Sequence, residues 1–122
     1  MSDDALGASD VFWGPNPYDG RSTEPRPWLV LATDSLPFGD EELLCAALTT
    51  SDILGNLRVG DDWLAGGVPD VESYCSPRVL GTIKRDAVVN PQGAVTSKFT
   101  ESVVRESVHY LETDLDVDTL DD

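Results

Sequence analysis

The chain is short of cations. Lys84 and Lys98 are its only lysines, and with the arginines they make 8 positive side chains against 23 aspartates and glutamates, a formal net charge of −15. Such a surface repels RNA at low ionic strength. It suits a salt-rich, halophilic cytoplasm, where the Debye length at ~1 M is about 3 Å and acidic side chains act as a solubility device of little reach. Histidine is scarcer still, with His109 alone, and the cysteines are two, Cys45 and Cys75. One histidine and two cysteines cannot make a four-ligand zinc site within one chain at the usual spacings, so no metal and no cofactor are expected. Both thiols fall in apolar strand patterns and are expected free and partly buried rather than bridged. No apolar run reaches membrane-spanning length and no basic segment followed by an apolar one opens the sequence, so a soluble, cytoplasmic protein is expected.

At 122 residues the chain fits one domain with a modest core. Its longest clean strand pattern is Arg26 to Thr33, where Trp28, Leu29, Val30 and Leu31 form an apolar run between turn residues. Pro27 removes a backbone donor and biases Arg26 to an extended conformation, which puts a guanidinium at the rim of a strand buried further on. Trp28, inside the run, reads as core. Asp10 to Trp13, Glu42 to Leu48, Arg58 and Val59, Glu72 to Cys75, and Arg78 to Ile83 are the other strand patterns. Pro77 between the last two points to an edge or a bulge. Asn90 to Gly93 reads as a turn.

From Ser97 to Leu111 the period becomes helical. Phe99, Val103, Val104, Val108 and Leu111 are expected on one side and Glu101, Arg105, Glu106 and Glu112 on the other, with Thr96 or Ser97 as the cap and His109 solvated on the charged side. Residues 1–8 and 113–122, short and acidic, are read as a flexible N-terminus and a disordered tail around a folded unit of residues 9–112. The fold class expected is mainly β (α+β), a small twisted SH3-like barrel of about five to seven strands with one C-terminal helix.

Three stretches in order carry a resemblance. They are Asp10-Val-Phe-Trp-Gly-Pro-Asn-Pro17, then Arg26-Pro-Trp-Leu-Val-Leu-Ala-Thr-Asp34, then Leu44-Cys-Ala-Ala-Leu-Thr-Thr-Ser51; the later Ser73 to Lys84 joins them with Thr82-Ile83 near its end. Together they resemble the PemK/MazF family of toxin ribonucleases. The resemblance implies a Kid/MazF-type barrel, a homodimer, an antitoxin partner, and metal-independent cleavage of single-stranded RNA. Phe12, Trp13 and Trp63 also exceed what so small a core must hold, which agrees with a dimer.

By position, the resemblance makes Arg26 and Thr49 the catalytic pair and Glu24 the loop carboxylate. The chemistry suits them: an arginine fork and a hydroxyl can stabilise charge on phosphoryl oxygens while the ribose 2′-hydroxyl attacks. The loop departs from the family, with no glutamine after its glutamate, and Gly81 stands where an arginine is usual; Arg78, Lys84 and Arg85 are the substitutes. Trp13 and Tyr18 are candidates for stacking on bases, and Arg21 for contacting RNA. Two alternatives keep the scaffold: an inactive binding module, and a poison of a protein target.

Overall fold

The computed structural model describes residues 6–16, 24–66 and 71–119. Seven strands form one antiparallel sheet: β1 (Asp10–Gly14), β2 (Arg26–Ala32), β3 (Glu42–Thr49), β4 (Leu57–Arg58), β5 (Trp63–Gly66), β6 (Tyr74–Lys84) and β7 (Asn90–Val95). A single α-helix, α1 (Ser97–Thr119), follows. The spatial order β4-β6-β3-β2-β1-β7-β5 curls the sheet into a half-barrel closed by the helix.

β3 lies inside the sheet, between β6 and the central β2, and is buried on both faces. Ala46 and Leu48 face a cluster with Val11, Leu29, Val95, Phe99 and Val103, on the helix side. Cys45, Leu43 and Ala47 face the opposite cluster, built on Phe12, Trp28, Val30 and Ile83. Alternation along one strand thus feeds two cores, as the near-continuous apolar run requires. Phe12 is fully buried, so it is core and not surplus apolar surface; Trp13 and Trp63 are half-buried. Leu6 is also buried, within the stretch read as a flexible N-terminus.

The cysteines are free and lie in different clusters, Cys75 on the helix side and Cys45 opposite. Burial pushes the Cys75 thiol up to about 12 and raises Cys45 as well. Thiolate is the reactive form, so neither cysteine should take up iodoacetamide at pH 8 until denaturant is added, as read by mass spectrometry. Rapid native labelling at either would contradict the packing. The Cys75 thiol ionises near 9 unfolded and near 12 folded, so its contribution to stability is intact below pH 9 and is lost as pH rises through about 12.

Three elements differ from the sequence reading. Asn90 to Gly93 is the first part of β7, not a turn, and it pairs with both β1 and β5. Pro91 is tolerated because the β1–β7 register shifts between Val11 and Phe12, where a ladder bond is already lost. The strands expected at Glu72 to Cys75 and Arg78 to Ile83 are one long strand, β6, which starts only at Tyr74 and runs through Pro77. Of the edge or bulge expected at Pro77, the structure has the bulge: Ala46 pairs with Leu80 but Ala47 with Ser76, leaving residues 77–79 without partners on β3.

The helix is capped by Thr96, whose Oγ1 accepts from the Phe99 amide at 3.1 Å. Its inner face is Phe99, Thr100, Val103 and Ser107, one row at i+4 spacing with its neighbour. Val104, Val108 and Leu111, expected inside, are exposed, because the face turned to the sheet follows the row Phe99, Val103 and Ser107, to which none of the three belongs. Ser107 Oγ donates to the Pro77 carbonyl at 2.6 Å, so the bulge is where helix and sheet lock. His109 is exposed. Beyond Leu111 the helix continues through the acidic stretch read as a tail, where no glycine or proline interrupts it.

Candidate active site

β2 opens with Arg26 and β3 closes with Thr49, and their antiparallel register, passing through Trp28 opposite Ala47, brings both residues to the same end of the sheet. Arg26 Nη2 donates to the Leu48 carbonyl at 3.0 Å, and its guanidinium carbon lies 5.5 Å from the centre of the Trp28 ring. That ring is itself fixed, fully buried, with Nε1 donating to the Pro15 carbonyl at 2.9 Å. A cation over a rigid indole and against a strand carbonyl loses little freedom when it meets an anion. Arg26 and Thr49 line one open cavity of about 510 Å³, together with Ile53, Asn56, Ser76, Arg78 and the short apolar segment after it. Arg78 reaches the cavity because the Pro77 bulge takes it out of the ladder, which leaves its side chain exposed and aimed away from the core.

The other expected residues lie elsewhere. Lys84 pairs with Glu42 at 3.0 Å, at the far end of β3 from Thr49. Arg85 is buried: Nη1 donates to the Leu6 carbonyl at 3.0 Å, Nη2 to Thr33 Oγ1 at 2.7 Å and to the Gly39 carbonyl at 3.1 Å. Its guanidinium is committed to two carbonyls and a hydroxyl inside the fold, which removes it from the RNA-binding set. Glu24 is exposed just ahead of β2 and does not line the cavity. Trp13 lines a second, more apolar cavity of about 270 Å³ with Leu48, Thr50, Trp63, Ser73 and Gln92; Thr49 borders both cavities. Tyr18 and Arg21 lie outside the described residues. Arg58 and Arg105 are engaged in ion pairs with Glu72 and Glu101. In this acidic chain, Arg26 and Arg78 are the described cations that share one opening with a strand-end hydroxyl.

Asn56 and Ser76 were not singled out by the sequence reading. Ser76 is buried in β6 and its Oγ donates to Asn56 Oδ1 at 2.9 Å; Asn56 Nδ2 donates to the Ser51 carbonyl at 3.1 Å. Gly55 makes this turn possible. Its φ of +93° belongs to glycine, and a side chain there would sit 2.8 Å from the Tyr110 hydroxyl. A Gly-Asn pair ahead of a short strand was the available signal, but it identifies a turn and not the residue that the turn presents.

Among solved structures, an endoribonuclease in complex with its cognate antitoxin from a mycobacterial species is similar, with a TM-score of 0.59 and 18% identity over 88% of this chain and 96% of that one. The chain has the fold of the MazF-type toxins. The Mycobacterium tuberculosis toxin MazF-mt6 aligns with a TM-score of 0.56 and 16% identity, over 81% of this chain and 91% of its own. A mycobacterial endoribonuclease aligns with a TM-score of 0.53 and 20% identity, over 84% and 86%. No protein-family profile matches the sequence, and no curated protein does. The MazF-type fold therefore emerges at a level of identity where backbone geometry persists after most side chains have changed. Among the described residues, no three His, Cys, Asp or Glu side chains come together as metal ligands would, and no helix is long and apolar enough to cross a membrane.

Proposed function

We propose that the chain is a toxin-type endoribonuclease that cleaves single-stranded RNA without a metal and is restrained by an antitoxin protein. The observation that carries this reading is the convergence of Arg26, Thr49 and Arg78 on one open cavity at the strand ends of a MazF-type fold. RNA contains its own nucleophile. The ribose 2′-oxygen attacks the adjacent phosphorus, the bond to the 5′-oxygen of the next nucleotide breaks, and a 2′,3′-cyclic phosphate and a free 5′-hydroxyl result. Arg26 neutralises the charge that grows on the phosphoryl oxygens, and Thr49 donates one further hydrogen bond to them.

The family resemblance assigns Glu24 to take the 2′ proton; since it is exposed two residues before Arg26 and outside the cavity lining, it acts through an intervening water, with the leaving oxygen protonated from solvent. Arg78 holds a neighbouring phosphate, and Trp13 offers a face for a base on the other side of Thr49. Stacking of ~1 to 3 kcal/mol per base keeps its value where salt weakens phosphate contacts. The protein works, on this reading, as a homodimer in a salt-rich cytoplasm, with half-buried Trp63 and exposed Leu64 on the edge strand β5 offering apolar surface to a second copy.

The test is incubation with a single-stranded RNA in molar KCl containing EDTA. Fragments ending in a cyclic phosphate are expected, and sedimentation in the same buffer should show two chains. Intact RNA that nevertheless binds the protein would reduce the domain to a binding module.

A further inference from the structure

The cavity holds a continuous chain of hydrogen bonds that the cleavage chemistry above does not use. It begins at buried Ser76 Oγ, which donates to Asn56 Oδ1 at 2.9 Å, and continues from Asn56 Nδ2 to the Ser51 carbonyl at 3.1 Å. The Ser51 amide then donates to Thr49 Oγ1 at 3.2 Å. The chain therefore ends on the hydroxyl placed at the phosphate, and Thr49, Asn56 and Ser76 all line the same cavity. We propose that Asn56 is a positioning residue for RNA cleavage, holding the loop after β3 so that Thr49 presents its hydroxyl proton, and not a lone pair, to the phosphate. This inference rests on reading the cavity as the cleavage site.

The chemistry of the hydroxyl gives the reason. A threonine oxygen has one proton and two lone pairs, and rotation about its C–O bond can offer either to the cavity. A lone pair turned to a phosphate oxygen would repel it. With the Ser51 amide on one lone pair, the proton is directed away from that amide and is available to an anion. Whether the amide stays there depends on the loop, and the loop is held by a side chain that must accept from Ser76 and donate to Ser51 at once. A carboxamide does both on one planar group. Aspartate could still accept from Ser76 but would face the Ser51 carbonyl with a second acceptor, and alanine would do neither. The Asn56 amide, bonded to the Ile53 carbonyl at 2.9 Å, closes the turn that puts the side chain in place.

The experiment is steady-state kinetics on a single-stranded RNA oligonucleotide in molar KCl, with the parent, Asn56→Ala, Asn56→Asp, Thr49→Val and the double variant Asn56→Ala/Thr49→Val. Asn56→Ala is expected to lower kcat about tenfold, the worth of one misdirected hydrogen bond, with KM within twofold of the parent. Asn56→Asp should recover none of the loss. In the Thr49→Val background Asn56→Ala should cost nothing more, since the group it positions is gone. Losses that multiply independently, or a raised KM with kcat retained, would overturn the proposal. A parent that cleaves no RNA refutes the functional reading; the positioning itself is then decided by the Ser51 amide proton in solution NMR. That proton should be slow to exchange in the parent and fast in Asn56→Ala. Equal exchange in the two folded proteins would refute it.

Discussion

Arg26→Ala should slow RNA cleavage at least a hundredfold in kcat, the equivalent of ~3 kcal/mol of lost transition-state stabilisation. The guanidinium is held by the Leu48 carbonyl and the Trp28 ring before any RNA arrives, so its charge is already oriented when the phosphorane forms. Arg26→Lys should restore only part of the rate, because a single ammonium cannot span two phosphoryl oxygens or lie flat over the indole. Lys84→Ala is the control, engaged with Glu42 at the other end of β3, and should cleave at the parent's rate. Cleavage by Arg26→Ala as fast as the parent in molar salt would end the catalytic assignment and leave the fold untouched.

Arg85→Ala should destabilise the protein by ~3 kcal/mol or more, seen as a lower midpoint of urea unfolding. Three backbone and hydroxyl partners depend on this one side chain: the Leu6 carbonyl, the Gly39 carbonyl and Thr33 Oγ1. Gly39 keeps one donor, Thr33 Oγ1 at 2.7 Å, but the Leu6 carbonyl would lose the guanidinium bond inside a buried site. Arg85→Met fills the volume without donating, and should fall nearly as far. If either variant melts with the parent, the guanidinium is not what ties the N-terminal stretch and the β2–β3 connection to the end of β6.

How much of this could be read beforehand varied with the kind of signal. β2 and β3 were legible because each is an apolar run of strand length between turn residues, and the pairing of an opening arginine with a closing threonine follows from antiparallel geometry alone. β7 was not, since Asn90, Pro91 and Gly93 are turn formers whose local preference is overridden by ladders to β1 and β5. The helix was legible in its start, its period and the burial of Phe99 and Val103, but not in the rest of its inner face, because polar Thr100 and Ser107 go inside to meet Ser9 and Pro77 while Val104 and Val108 stay out. Within the site, cations could be counted but not sorted. Arg78 and Arg85 look alike in the sequence, and only a bulge before one and three acceptors around the other separate them. Asn56 showed only as part of a Gly-Asn turn, and Ser76, an ordinary polar residue twenty positions on, left no trace of its partnership with it.

The position of β1 in the sheet has a consequence for the time course of self-assembly. It lies between β2, its neighbour in sequence, and β7, which is among the last residues before the helix; Asp10 pairs with Ala94, and the Val95 amide donates to the Ser9 carbonyl at 2.9 Å. During synthesis the hairpin of β1 and β2 emerges with one edge unsatisfied and must wait for nearly the whole chain before that edge is covered. Topologies dominated by such distant pairings fold in milliseconds to seconds, not microseconds. Over that interval the nascent chain carries an open strand edge, a template on which another copy can add until β7 covers it.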